Sequence, residues 1–186
     1  MKEFYIVVDI EASGPNPGLY AMLSIGACTL EKPRQTFYVE IQPDKENALQ
    51  EAMSIHNLSL DELSSGGQPP AEAMTRFAEW IDQVTPADSR PIFTAFNAPF
   101  DWMFVCDYFF RYYGTNPFGH KALDIKAFYM GLHDTTWEET SHQHIIRHYS
   151  YDIELTHHAL SDAIHEADLF EIMLVEAAEK KPEEDV

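Results

Sequence analysis

Asp9 and Glu11 stand two residues apart at the end of the run FYIVVDIE, and in a strand that spacing projects both carboxylates from one face. Like charges that close require a cation, although the pair taken alone also reads as an exposed strand end and a cap. Asp101 lies in AFNAPFDW, between Phe100 and Trp102, with Asn97 and Pro99 shaping the turn before it. An acidic first turn suits the helix macrodipole, but an ionised carboxylate among aromatic rings has to be paired, hydrogen-bonded or bound to metal. Asp162 heads the last helical stretch and His157 precedes it by five residues in THHALSD. On one continuous helix the two would point about 140° apart, so they converge only if His157 lies on the loop before the helix. Thr156 and Ser161 supply capping residues for such a break. These carboxylates and the imidazole, on two strand ends and two helix starts, are the parts of a two-metal phosphoryl-transfer site. Hard divalent ions take oxygen ligands, and two of them about 3.5–4 Å apart can activate a water and stabilise a leaving oxygen.

The elements that must position these residues follow from pattern. Phe4 to Ile10 is β-branched and aromatic and reads as a buried central strand closed by Ser13-Gly14-Pro15. Tyr20 to Leu30 and Gln35 to Ile41 continue with strand character around Lys32-Pro33, which predicts an antiparallel three-strand opening. Helical composition follows over Glu46 to His56 and, past Ser64-Ser65-Gly66-Gly67, over Ala71 to Val84, where Ala73, Phe77, Trp80, Ile81 and Val84 form an amphipathic stripe. Pro91 to Phe96 predicts a strand, Pro99 to Gly114 a largely buried helix, and Ala122 to Ile125 a short last strand leading into a helix through Met130. Helices are expected over Trp137 to His148 and from about Leu160 to Lys180. The whole predicts a mixed α/β sheet flanked by helices, one domain over 1–180 with an acidic tail at 181–186.

Composition bounds the function. The chain has 186 residues, 45% hydrophobic and 23% charged, which suits one folded domain rather than a disordered or fibrous chain. Twelve Lys and Arg against 31 Asp and Glu leave a net charge of −19, which argues against a conventional basic nucleic-acid clamp. Cys28 and Cys106 are too few for a disulfide framework, so a reducing compartment, the cytoplasm, is expected. The charged N-terminus lacks signal-peptide character, and no stretch approaches the roughly 18 apolar residues of a membrane span.

Taken in order, Asp9-Ile10-Glu11, Asn97-Ala98-Pro99-Phe100-Asp101 and His157-His158-Ala159-Leu160-Ser161-Asp162 resemble the three motifs of the DEDDh 3′-to-5′ exonucleases. That is the DnaQ-like or RNase T-like superfamily, and the resemblance covers essentially the whole chain. It implies a ribonuclease H-like mixed five-stranded sheet and a hydrolase releasing nucleoside 5′-monophosphates from single-stranded 3′ ends or short oligonucleotides. It also implies Asp9, Glu11, Asp101 and Asp162 as ligands of two Mg²⁺ or Mn²⁺ ions, with His157 as general base toward the attacking water. His158 falls on the variable position. Ala12-Ser13 stands where many relatives have two threonines, and Ser24 where many have an acidic residue; both bear on how the terminal nucleotide is seated.

Substrate contacts are expected from Ala12, Ser13, Asn97 and Phe100 at the motifs. The window Tyr108 to Leu132 adds Arg111, Lys121 and Lys126 against Asp124, among many aromatic rings. Most of these rings read as core, with Phe118, His120 and Lys121 in the GTNPFGHK loop reaching substrate by stacking and charge. So little positive charge predicts weak binding to long duplexes and a shallow salt dependence. His142, His144 and His148 suggest zinc, but neither cysteine nor an HExxH glutamate accompanies them, and exposed helix histidines are the simpler reading. Two alternatives remain: an oligoribonuclease-like enzyme confined to short RNA, and a non-catalytic interaction subunit. Some members of the family dimerise, and Tyr108 to Tyr113 suits either an interface or core packing.

Overall fold

The computed structural model describes residues 1–151 and 156–180; the acidic tail expected at 181–186 lies outside them. Strands β1 (Lys2–Ala12), β2 (Met22–Thr29) and β3 (Thr36–Glu40) form the expected antiparallel opening. β4 (Ser89–Ala95) pairs parallel to β1 and β5 (Ala122–Asp124) parallel to β4, giving one sheet in the order β3-β2-β1-β4-β5. β1 is therefore central, as its apolar run requires. Helices α1 (Gln50–His56), α2 (Leu60–Gly66) and α3 (Pro70–Val84) separate β3 from β4, and α4 (Ala98–Tyr108) separates β4 from β5. After β5 come α5 (Ile125–His133), α6 (His142–His148) and the long α7 (Ala159–Glu179).

Alternation along β1 divides the molecule into two layers. Phe4, Ile6, Val8 and Ile10 join one core with Phe77 and Ile81 of α3 and Phe104 and Val105 of α4. Tyr5 and Val7 face the other way, into a core with Ile125 and Tyr129 of α5, Ile145 of α6 and Phe170 and Met173 of α7. Side chains in a strand repeat every second residue, so Asp9 and Glu11 continue the face covered by α7. Gly26 of β2 pairs with Asp9, and a Cβ there would lie 2.1 Å from the backbone of Ala159 and Leu160. The missing side chain lets the first turn of α7 rest on the sheet beside Asp9.

Local chemistry explains where elements depart from expectation. Ser64 and Ser65, expected to break the chain, instead lie in α2, where the Ser64 hydroxyl donates to the Leu60 carbonyl at 2.7 Å and Ser59 caps the start. The helix expected over Trp137 to His148 is split in two. Thr136 forms a capping box with Glu139 on a short 3₁₀ turn (Trp137–Thr140), and Ser141 caps α6 as a separate start. The helix expected to end at Gly114 does so, its last turn (Phe109–Tyr113) widened to π geometry. Among the described residues no helix is long and apolar enough to cross a membrane.

Candidate active site

Parallel pairing places the carboxyl ends of β1 and β4 at one edge of the sheet, the usual ligand end of an open α/β sheet. Asp9 and Glu11 project there from β1. Beyond β4 the backbone turns through Asn97 in the left-handed region (φ 62°) and enters α4 with Pro99 in its first turn. That turn directs Asp101 inward, 3% exposed, where its Oδ1 accepts a hydrogen bond from the Ile10 amide at 3.1 Å. Asp162, also 3% exposed, stands in the first turn of α7 and accepts at Oδ1 from the Thr156 amide at 2.8 Å and the Thr156 hydroxyl at 3.0 Å. His157 precedes the helix with φ 53°, off the helical path as convergence with Asp162 demands. One ligand atom each of Glu11, His157 and Asp162 lie within 4.8 Å of one another. His158, on the variable position of its motif, caps α7 and stacks on Tyr38, ring centroids 4.6 Å apart.

A further carboxyl, Glu166, sits one turn below Asp162, 4% exposed, and accepts from the Phe96 amide at 3.1 Å. Burial pushes the Asp9, Asp101 and Glu166 carboxyls well above the ordinary range. Asp101 adds to this at Asp9 and Glu166, and Glu11 at Asp101. The Glu11 carboxyl is pushed up to about 7 by burial and by the charge of Asp162. Among the described residues no Lys or Arg lies within ion-pair distance of any of these five groups. The repulsion is thus left for an external cation to relieve, and a donor set of carboxylates with one imidazole fits a hard divalent ion.

Beside this cluster opens a cleft of about 460 Å³ lined by Glu11, Ala12, Phe100 and His157 together with Leu49, Ile55 and His56 of the α1 region. Leu49 and Ile55 are 40% and 48% exposed, an apolar wall left open to solvent. Burial holds the His56 imidazole below the ordinary histidine value, and its Nε2 lies 3.3 Å from the Ala12 carbonyl, tying α1 to the end of β1. The sequence reading treated Glu46 to His56 only as a helix. The wall's signal was available in Leu49, Ala52, Ile55 and His56 recurring on one face of a short segment.

Not every expected substrate contact is there. Ser13 is fully buried, its hydroxyl donating to the Asn47 carbonyl at 2.8 Å and accepting from the Ala21 amide at 2.9 Å, so it braces loops instead of facing the cleft. Phe118 is 8% exposed among Phe77, Phe93 and Phe109, which removes it from any stacking surface. Asn97, His120 and Lys121 are exposed but line no part of the cleft. Ala12 and Phe100 line the cleft.

The model of the family described as the 3′-5′ exoribonuclease Rv2179c-like domain matches residues 4–174. A curated relative, the 3′-5′ DNA exonuclease Cap18 of Escherichia coli, is 42% identical over 172 residues, covering 92% of each chain. Among solved structures, the nuclease domain of 3′hExo, a DEDDh family member bound to rAMP, superposes with a TM-score of 0.80 at 15% identity, covering 98% of this chain and 97% of that one. E. coli Exonuclease I in complex with a dT13 oligonucleotide gives 0.69 at 16% identity, covering 94% of this chain and 41% of the other. At these identities the two structures speak for the fold, the ribonuclease H-like mixed sheet of the DEDDh exonucleases.

Proposed function

The chain belongs to the 3′-5′ exoribonuclease Rv2179c-like domain family and is a 3′-5′ exonuclease, and from that premise we propose that residues 1–180 act as one catalytic domain on single-stranded 3′ ends. The observation carrying this reading is the convergence of Asp9, Glu11, Asp101, Asp162 and His157 at one sheet edge beside an open cleft, with no Lys or Arg among the described residues to balance the carboxylates. The four carboxylates are suited to hold two Mg²⁺ or Mn²⁺ ions, which when bound would supply charge neutralisation and water activation.

The chain's own residues do the rest. Phe100, Leu49 and Ile55, which line the same cleft, offer apolar surface to a terminal base without reading its identity. His157, exposed at the rim and anchored by the Thr156 bonds to Asp162, takes the proton of the attacking water at a ring nitrogen. The phosphodiester then breaks at the 3′ oxygen of the preceding nucleotide and a nucleoside 5′-monophosphate leaves. DNA is the first substrate to test on the strength of the 42% identical relative; the family's description favours RNA.

The test is a time course on 5′-labelled single-stranded DNA and RNA of several lengths with Mg²⁺, Mn²⁺ or chelator. A metal-dependent ladder shortening from the 3′ end is expected, lost in Asp101→Ala and reduced about 10²–10⁴-fold in His157→Ala. Unchanged rates in His157→Ala overturn its role as base. Intact oligonucleotides under every condition overturn the substrate class.

A further inference from the structure

A second group of potential ligands lies far from the catalytic edge. His133 is the last residue of α5, His148 the last of α6, and Glu176 sits in the final turns of α7. One ligand atom from each lies within 4.8 Å of the others. Asp162 precedes Glu176 by fourteen residues on the same helix, a separation of about 21 Å at the helical rise. The catalytic group and this one share no residue.

We propose that His133, His148 and Glu176 form a binding site for a transition-metal dication of the zinc class, with the Tyr149 hydroxyl or water completing the coordination. His133 Nε2 lies 3.4 Å from Glu176 Oε2, close to the edge of about 3.3 Å that tetrahedral angles and bonds of roughly 2.0–2.1 Å require between two ligands of one zinc. Tyr149 Oη stands 3.0 Å from His133 Nε2 and 2.6 Å from Glu176 Oε2, within reach of the same centre. The His133 and His148 rings cross edge to face, centroids 4.6 Å apart. Lys180 occupies only the other carboxylate oxygen, Oε1, at 2.7 Å, leaving Oε2 turned toward the histidines.

Two further features suit a cation. α5 and α6 both end at this point, so the negative ends of their dipoles meet there. Burial also lowers the His133 imidazole's proton affinity, favouring the neutral form that binds metal. His144, which the sequence pairs with His148 at i and i+4, is absent from the group; the convergence is tertiary. Such an ion would tie the ends of α5 and α6 to α7, the helix that carries Asp162. Imidazole ligands favour zinc over Mg²⁺, so the two sites divide by cation.

Zinc binding is measured by calorimetry and by elemental analysis after dialysis, in excess Mg²⁺, on the full chain and on His148→Ala, His133→Asn and His144→Ala. His148 and His144 are both exposed, so their truncation leaves the fold intact. The parent and His144→Ala are expected to hold one more tight zinc per chain than His148→Ala or His133→Asn, with affinity at this site falling at least about 10–100-fold in the latter two. Zinc at about 100-fold over its Kd should raise the parent's Tm by about 5 °C or more, and that part of the rise should vanish in His148→Ala. Equal zinc content and equal Tm response in parent and His148→Ala overturn the proposal, whether the zinc then sits at the catalytic carboxylates or nowhere.

Discussion

Replacing Glu11 by Gln should make the metal-free protein more stable, and the gain should depend on pH. With the Glu11 carboxyl at about 7 in the fold against an ordinary 4.5, the native state holds its proton more tightly than the unfolded chain does. The fold therefore loses stability as pH rises from 4.5 through 7, and the loss is complete above that. At about 1.4 kcal/mol per tenfold change in proton affinity, the ionised side chain costs the fold at most about 3 kcal/mol at pH 8 and less than about 1 kcal/mol at pH 5. Gln carries no charge at either pH, so the variant should unfold later than the parent in chelator at pH 8, by about 6–12 °C in Tm for a domain of this length, and nearly together with it at pH 5. Urea unfolding at the two pH values reads the same difference, and comparing variant with parent cancels the self-repulsion of the remaining charge. Adding Mg²⁺ should stabilise the parent more than the variant, since the parent alone keeps the full carboxylate set. Coincident unfolding curves in chelator at pH 8 would refute the reasoning, because Glu11 would then not be held against its neighbours' charge.

Gly26→Ala would drive a Cβ into the backbone of Ala159 and Leu160 at 2.1 Å, lifting the first turn of α7 from the sheet. A loss of roughly 1–3 kcal/mol, with exonuclease activity falling further than stability accounts for, is expected from denaturation and single-turnover rates; a fully active variant would mean that α7 can shift without moving Asp162. Phe118→Ala empties a position buried among Phe77, Phe93 and Phe109 and should cost about 3–5 kcal/mol while leaving the KM of the folded enzyme unchanged. A raised KM with undiminished stability would return this ring to the substrate.

The convergence of the carboxylates was legible because each is bound to a local signal. The D-x-E spacing puts two groups on one strand face, the Asn97-x-Pro99 turn marks entry to a helix, and the five residues from His157 to Asp162 fit only a loop before a helix. What the sequence did not disclose depends on long-range packing. Ser13 looks like a free hydroxyl in its motif, but its partners Asn47 and Ala21 come from two separate loops. Phe118 resembles a loop tip until α3 and β4 close over it. Glu166 was more accessible: it stands four residues after Asp162 and so on the same helix face, yet only burial beside Asp101 distinguishes it from an ordinary solvated glutamate.

The acidity of the chain and its work on a polyanion are reconciled by where the cations are. Lys2, Lys32, Arg34, Lys45, Arg90, Arg111 and Lys180 are all paired with carboxylates. Arg34, only 9% exposed in its side chain, is spent joining β3's approach to Asp168 and Glu171 of α7. Arg111 is similarly held by Asp44 and Asp107 beneath Tyr108 and Tyr112. Lys32 and Arg34 thus fasten α7 to the β2–β3 turn, and the others named are held by neighbouring strands, loops or helix turns, so these seven have little charge left to release counterions from a long strand. On the reading proposed above, recognition would fall to the terminus itself, where Phe100 and the α1 wall would take one base and the carboxylate edge would meet one phosphate through added divalent charge. On that proposal the same repulsion that weakens the metal-free fold would make the site selective for a cation, and through the cation for a strand end.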